Sequence, residues 1–338
     1  MSLTHADNQR QTATEQSALP QGWCRLPGLG AIRVAGEERA SFLQNMLSND
    51  IHAVNDTTAQ LTTQCTPKGR IQALFTVVEQ DDAYLLIMPA DNLPQTLARL
   101  KLFVLRSQVT VEDASDEWTG LGLMGRQAGE ALAGAFGFSA LPEKDWQLRR
   151  VQEILLMRYP GPMPRYLAIA SPDQRSALVQ RLAQASLPEC PADTWTEHDI
   201  EAGLPSVHQA TREMFVPQWI NLDLIGGLNF KKGCYPGQEV VARLHYLGKP
   251  NRRMLAGHAN LPEIPAPGTP IRDAAGTEIG QIVIATTSSD LADDCQFLAV
   301  IKLGQLEQAA FVDGHAVWLA RDTLPQLDEQ GTQAATTH

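Results

Sequence analysis

Apolar positions along this chain recur with two periods, and the switches between them mark out short strands and helices. Ala31 to Ala35 reads as a strand closed by Gly36. Glu37 to Leu47 places Phe42, Leu43, Met46 and Leu47 at helical spacing before a Ser48-Asn49-Asp50 stop. Leu61, Thr63 and Cys65 share a strand face, Pro67-Lys68-Gly69 turns the chain, and Ile71 to Val78 returns with two-residue alternation, so a hairpin is expected. Tyr84 to Met88 is a further strand, Leu93, Leu97, Leu100 and Val104 mark a helix, and a strand follows around Val109 to Val111. A similar order then recurs. Strands are expected at Leu121 to Met124, Ile154 to Tyr159 and Tyr166 to Ala170, and helices at Gln127 to Phe136 and Pro172 to Ala185.

After Pro250 the texture changes to short strand-like runs at Met254 to Ala259, Glu278 to Ala285, Phe297 to Ile301 and Ala316 to Leu319, broken by turns such as Asp313-Gly314. That pattern predicts a small closed or sandwiched β domain. The expected fold class is α+β, with two related α+β lobes and a C-terminal small β-barrel domain. Expected boundaries are a polar tail over 1–21, a two-lobed region over 22–250, a barrel over 251–324 and a polar tail over 325–338. The lobes run roughly over 22–115 and 116–194, with 195–250 packing back on the first.

Bulk properties narrow the function classes. A 43% apolar content over 338 residues fills the interiors of two or three domains and excludes wholesale disorder. A net charge of −11 argues against non-specific coating of nucleic acid or anionic membrane. No apolar run approaches the ~20 residues needed to span a bilayer. Residues 1–21 lack the apolar core of a secretory signal, so a cytoplasmic location is expected. Cys24, Cys65, Cys190, Cys234 and Cys295 are odd in number and widely spaced, with no Cys-x-x-Cys. Free thiols are expected, not a disulfide framework or a metal site.

Charge along the chain is uneven. Between Lys231 and Arg253 there are six Lys or Arg (Lys231, Lys232, Arg243, Lys249, Arg252, Arg253) against Glu239 alone, a local +5 on an acidic protein. Within that stretch Gly233, Pro236 and Gly237 favour a tight turn that holds Cys234 at a bend, and the residues from Glu239 to Leu244 start either a helix or a strand. Neighbouring ammonium groups favour a thiolate, the nucleophilic form, and Lys231 and Lys232 are placed to act so on Cys234. On composition alone the alternative stands beside it: Cys234 as a small packing residue with solvated lysines around it.

The segment Lys232-Gly233-Cys234-Tyr235-Pro236-Gly237-Gln238-Glu239 resembles the signature of the YgfZ family. Phe215-Val216-Pro217-Gln218-Trp219-Ile220-Asn221-Leu222, Gly226-Gly227, Ile200-Glu201-Ala202-Gly203-Leu204-Pro205, and Phe42-Leu43-Gln44 with Asn49-Asp50 are similar to it too, so that the resemblance runs from about Leu26 to Leu319. Members of that family are folate-binding proteins implicated in tRNA modification and in upkeep of iron–sulfur enzymes. Their fold resembles that of the aminomethyltransferase (T-protein) of the glycine cleavage system.

The resemblance implies a tetrahydrofolate or related folate held between the lobes and the β domain, and a functional thiol at Cys234 with Lys232 beside it. A pterin needs a flat aromatic or apolar wall and a few amide or carboxyl partners. Trp195 stands where a family tryptophan contributes to that wall, with a core helix anchor as its alternative. Glu201, Gln218 and Asn221 are implied as polar lining, each with a structural role as its alternative, and Tyr235, Gln238, Glu239 and Arg243 as the motif's share of the cofactor-binding set. A second family tryptophan would fall near Leu29 or Gly30, where this chain has none; Trp23 is out of register.

Aminomethyltransferases orient the reacting folate nitrogen with an aspartate just after a glycine-rich hairpin. The matching segment here, Lys68-Gly69-Arg70-Ile71-Gln72-Ala73-Leu74-Phe75, has none, and no Asp or Glu occurs from Thr66 through Val78. Two readings follow. One is a folate-binding accessory protein that supports iron–sulfur cluster assembly or repair and iron–sulfur-dependent tRNA modification through Cys234. The other is a folate-dependent one-carbon transferase or demethylase. Expected partners are folate and, indirectly, iron–sulfur enzymes that modify tRNA. Neither strong direct nucleic-acid binding nor membrane binding is expected.

Overall fold

The structure is a computed structural model that describes residues 19–289 and 294–323. Most of the expected N-terminal tail and all of 325–338 lie outside the described residues. The strands and helices in chain order begin with β1 (Gly22–Arg25), β2 (Leu29–Ala35), α1 (Arg39–Met46), β3 (Gln60–Cys65), β4 (Ile71–Gln80), β5 (Ala83–Pro89), α2 (Leu93–Val104) and β6 (Thr110–Asp113). They continue with β7 (Thr119–Met124), α3 (Arg126–Phe136), β8 (Leu148–Val151), β9 (Ile154–Tyr159), β10 (Arg165–Ala170), α4 (Pro172–Gln184), α5 (Ala192–Glu201) and α6 (Gln238–Leu247). Strands β11 (Arg252–Asn260), β12 (Pro270–Arg272), β13 (Glu278–Thr287), β14 (Asp294–Lys302), β15 (Ala310–Val312) and β16 (His315–Leu319) complete the described chain.

The first sheet has the order β3-β4-β5-β2-β6 and the second β1-β7-β10-β9-β8, all pairs antiparallel. Phe42, Leu43 and Leu100 of α1 and α2 pack with Ile32, Phe75 and Leu86 on one face of the first sheet. Leu132 and Leu178 of α3 and α4 do the same for Leu121, Ile154 and Tyr166 of the second. The remaining faces meet through Val78, Leu85 and Ile87 on one side and Met124, Leu155, Met157 and Leu167 on the other. Each sheet is therefore covered twice. This explains a departure from the expected alternation in β4, where every residue from Ile71 to Val78 is buried: a strand sandwiched between two apolar layers has no polar face to alternate with.

One assignment changes in the structure, and one left open is decided. β1 belongs to the second sheet, pairing with β7 in the register Trp23↔Leu123, although its residues precede β2 in the chain. Its four residues are too few for a period to register, and only the pairing places them. The stretch after Gly237 is the helix α6, not a strand.

The six C-terminal strands close as a barrel, β11-β14-β13-β12-β15-β16, with β16 back on β11. The long connection from α5 to α6 straps the first sheet to this barrel. Ile71 N–H donates to Phe215 C=O at 2.9 Å and Glu213 N–H to Ile71 C=O at 2.7 Å. Asn49 Nδ2 donates to Gly226 C=O at 2.8 Å, and Ser48 Oγ to Gly227 C=O at 3.0 Å. Arg253 on β11 is buried, and it donates to both carboxylate oxygens of Asp223 at 2.6 and 2.9 Å and to Gln218 C=O at 2.7 Å. Among the described residues no helix is long and apolar enough to cross a membrane.

Removing one member of a buried ion pair strands the other in low dielectric, at a cost of about 3–5 kcal/mol. Asp223→Ala is expected to lower the unfolding free energy by that amount, read from the shift of the urea midpoint. A loss under about 1 kcal/mol would mean that the Arg253 guanidinium finds water instead.

Candidate functional site

A cavity of about 290 Å³ opens where the two sheets and the barrel meet, near the lower end of the about 300–1,000 Å³ typical of small-molecule sites. Leu74, Phe75 and Thr76 of β4 and Ile87 of β5 form one wall, Ile284 of β13 contributes from the barrel, and the opposite wall is aromatic. There Trp146, Tyr159 and Trp195 form a continuous run, with ring centroids 5.1 Å apart for the first pair and 5.2 Å for the second, tilted at 67° and 56°. These are favourable edge-on geometries for aromatic pairs.

The local sequence explains why Trp195 sits there. Trp195 and Asp199 are four residues apart on α5, hence on one helix face, and both line the cavity. The indole lies against β7 at Gly122. A Cβ at that position would stand 2.5 Å from Trp195 Cε3 and 2.9 Å from Cys24 Sγ, so only glycine admits the ring.

Behind the aromatic wall lies Arg165, with no exposed side-chain surface. Its guanidinium sits 4.8 Å from the Trp195 ring centroid and 5.2 Å from that of Tyr159, and Nε donates to Pro160 C=O at 2.7 Å. Nη1 lies 2.7 Å from Asp199 Oδ1, but neither Nη nitrogen makes a directed hydrogen bond. The contact is ionic, with the ring faces taking the rest of the charge. Burial pushes the Asp199 carboxyl above its ordinary value, and Arg165 pulls it back. Asp199 Oδ1 is buried, so the 23% exposure of the side chain belongs to its other atoms, which line the cavity. Tyr159 is pushed up to about 12 by burial and shares a hydrogen bond of 3.0 Å with Thr76. Ser206 presents a buried hydroxyl without a partner in the same lining.

Of the residues expected at the cofactor, Trp195 lines the cavity, and Glu201, Gln218, Asn221, Tyr235, Gln238, Glu239 and Arg243 do not. Glu201 ends α5 in solvent. Gln218 is buried and donates to Val241 C=O at 2.8 Å, while Asn221, in the left-handed conformation, donates to Met254 C=O at 2.9 Å. Both tie the connection to its neighbours. Glu239 and Arg243 are exposed on α6. Asp199 went unnoticed in the sequence, although the Trp-x-x-x-Asp spacing on a helix next to the Ile200-Glu201-Ala202-Gly203 run carried the signal.

The cysteine segment is built separately. Cys234 is the one exposed cysteine of the five, outside the cavity lining. Tyr235 beside it is buried, and its hydroxyl is held well above its ordinary value by burial and by the nearby Cys65. Gly237 starts α6 at φ 85°, close against the Thr66 to Gly69 turn of the β3–β4 hairpin, where a Cβ would stand 2.9 Å from Gly69 Cα.

Lys232 does not stand free beside the thiol. Its ammonium is buried and donates to three carbonyls, Gln44 at 2.6 Å, Leu47 at 2.5 Å and Asn49 at 3.0 Å, with the Tyr235 ring 5.3 Å away. Burial draws its pKa down to about 8, with Asp50 opposing. The three carbonyls sit at the end of α1 and just beyond it, where the orphaned acceptors of a helix terminus take a cation well. Lys232 is thus a cap on α1 and a tie between the motif and the first lobe, while Lys231 is exposed.

With that geometry in view, the comparisons are informative. The family model described as the GCVT N-terminal domain matches residues 20–163. The tRNA-modifying protein YgfZ of Colwellia psychrerythraea is 31% identical over 236 residues, covering 70% of this chain and 71% of that protein. That of Sodalis glossinidius is 32% identical over 255 residues, covering 75% and 76%. The chain belongs to the YgfZ family. Among solved structures, aminomethyltransferase T of the glycine cleavage system from Bartonella henselae superposes with a TM-score of 0.67 at 16% identity, over 88% of this chain and 84% of that one. This chain thus shares its fold with an aminomethyltransferase. In this member of the family, the β4 wall carries Leu74, Phe75 and Thr76, and the carboxylates of the lining are Asp193 and Asp199 of α5.

In native protein, Ellman's reagent is expected to find one fast thiol, absent in Cys234→Ala, since Cys24, Cys65 and Cys295 are buried and Cys190 is half-buried. Lys232→Met is expected to cost about 1.5–3 kcal/mol of stability while changing the Cys234 rate by less than about threefold. A tenfold slower thiol would restore Lys232 as its activator.

Proposed function

We propose that this YgfZ-family chain is a tetrahydrofolate-binding accessory protein that supports iron–sulfur-dependent tRNA modification, with its cavity as the folate site and Cys234 as its functional thiol. The observation that carries the folate half is the cavity wall: three aromatic rings in a run, ending on a half-hidden carboxylate. The residues present fit a pterin. A flat bicyclic ring takes the aromatic surface, and its amino and amide N–H groups take the Asp199 carboxylate, with the Ser206 hydroxyl as a further partner. Among the lining residues His208 is the group able to carry positive charge toward a glutamate tail, and Asp91 holds its Nδ1 at 3.3 Å.

When bound, tetrahydrofolate supplies a nitrogen that accepts or donates one-carbon units. The chain's own residues bind and orient it: Trp195 and Trp146 exclude water from one side, Leu74 and Phe75 from the other, and Arg165 holds the Asp199 carboxyl in place while opposing the rise that burial imposes on it. The tRNA connection comes from the names of the relatives, and the iron–sulfur connection from the resemblance of the Cys234 segment. A second reading, a one-carbon transferase, draws on one observation, the Asp199 carboxylate in the cavity. Burial raises that carboxyl and Arg165 opposes the rise.

Calorimetric titration with tetrahydrofolate separates these elements. Wild type and Cys234→Ala are expected to bind alike. Trp195→Ala and Asp199→Asn are each expected to bind at least about tenfold more weakly. Tetrahydrofolate-dependent turnover of a methylated amine would move the protein into the transferase class, and absence of any binding heat by wild type would remove the folate reading.

A further inference from the structure

Helix α6 is poorly covered for an element of its composition. Of its ten residues only Val241 is fully buried. Val240, Tyr246 and Leu247 are 39%, 65% and 83% exposed, three of the seven large apolar side chains that stand exposed among the described residues. Exposed apolar groups gathered on one short element mark a contact surface more than chance does.

The charges around it point one way. Lys232 and Arg253, two of the six cations in the segment, are buried and spent on carbonyls and on Asp223. Lys231, Arg243 and Lys249 are exposed and form no ion pair among the described residues. Arg252 and Arg70 lie over the Trp219 ring at 4.7 and 4.9 Å, leaving both charges unneutralised. The one acid of the helix, Glu239, sits in its first turn, where the helix dipole holds it. Exposed cations therefore stand among exposed apolar side chains on a protein of net charge −11, in the segment that also carries the exposed thiol of Cys234.

We propose that α6 is the docking helix for a protein partner whose surface is acidic around an apolar centre, and that this contact brings the partner to Cys234. The inference rests on the accessory-protein reading of the function and is independent of the folate cavity. Charge complementarity selects an acidic surface, and the aliphatic Val240 and Leu247 select a protein over RNA. The aromatic rings nearby are spent on each other: Phe230 and His245 stack at 3.8 Å and 9°, and Tyr246 stands edge-on to both, at 6.1 and 4.7 Å. A two-fold pairing of this chain through α6 would set its cations against themselves. The helix is about 15 Å long, enough for a transient helix-in-groove contact and too short for a permanent one.

The test places a photo-crosslinking p-benzoylphenylalanine at Tyr246 of the full chain, in cells lacking the natural copy. Tandem mass spectrometry reads the adduct. A protein adduct is expected, joined at a peptide of net negative charge, and reduced at least about tenfold by the double change Leu247→Asp/Lys249→Glu. The same double variant is expected to bind tetrahydrofolate and to melt as wild type does, yet to lose rescue of tRNA modification in a deletion strain. An RNA adduct, an adduct with a second copy of this chain, a charge-insensitive adduct or no adduct overturns the docking proposal. Failure of wild type to rescue modification removes the accessory reading instead, whatever the crosslink shows.

Discussion

A guanidinium with no exposed surface, Arg165, organises the aromatic wall of the cavity between the sheets and the barrel. It reaches from β10 of the second sheet, stands behind Tyr159 and Trp195, and meets Asp199 of α5 at 2.7 Å. A buried cation is tolerable only where anions, carbonyls or π-faces surround it, and here all three do. Satisfying that one charge fixes the pitch of α5, the plane of the indole and the position of the carboxylate at the cavity wall. Gly122 completes the arrangement by letting the indole lie against the strand.

The two functional regions are mechanically separate. The cavity is enclosed by the sheets, α5 and the barrel, whereas the cysteine segment is mounted on α1 and the β3–β4 turn. Lys232 carries that mounting through its three carbonyl acceptors, and Gly237 allows the close approach to the hairpin. A lysine two residues before a cysteine thus serves the scaffold, because its chain is long enough to reach past the turn into an orphaned helix end. The thiol is left exposed, and the segment that carries it contributes nothing to the cavity lining.

Much of the fold was legible because most of its strands and helices carry strong periods. The helices at Leu93–Val104 and Pro172–Gln184 and the four longer barrel strands fall within three residues of the positions read from apolar spacing. The missed elements are short. β1, β8, β12 and β15 have three or four residues each, too few for a period, and their pairing is decided by neighbours distant in the chain. In β4 the alternation that suggested one wet face was an accident of residue order within a strand buried on both sides.

The chain by itself determined the family, through an eight-residue motif whose order is specific, and the alternation of elements that makes two lobes and a barrel. It also determined that β4 has no carboxylate where an aminomethyltransferase would carry one. Only the tertiary structure decided that Asp199 lines the cavity while Glu201, two residues on, points to solvent. It alone turned Lys232 inward, and left the apolar residues of α6 without cover. The physical reason is common to all three. A side chain's neighbours along the chain set its rotamers and secondary structure, but its burial and its partners come from elements brought together from distant parts of the chain.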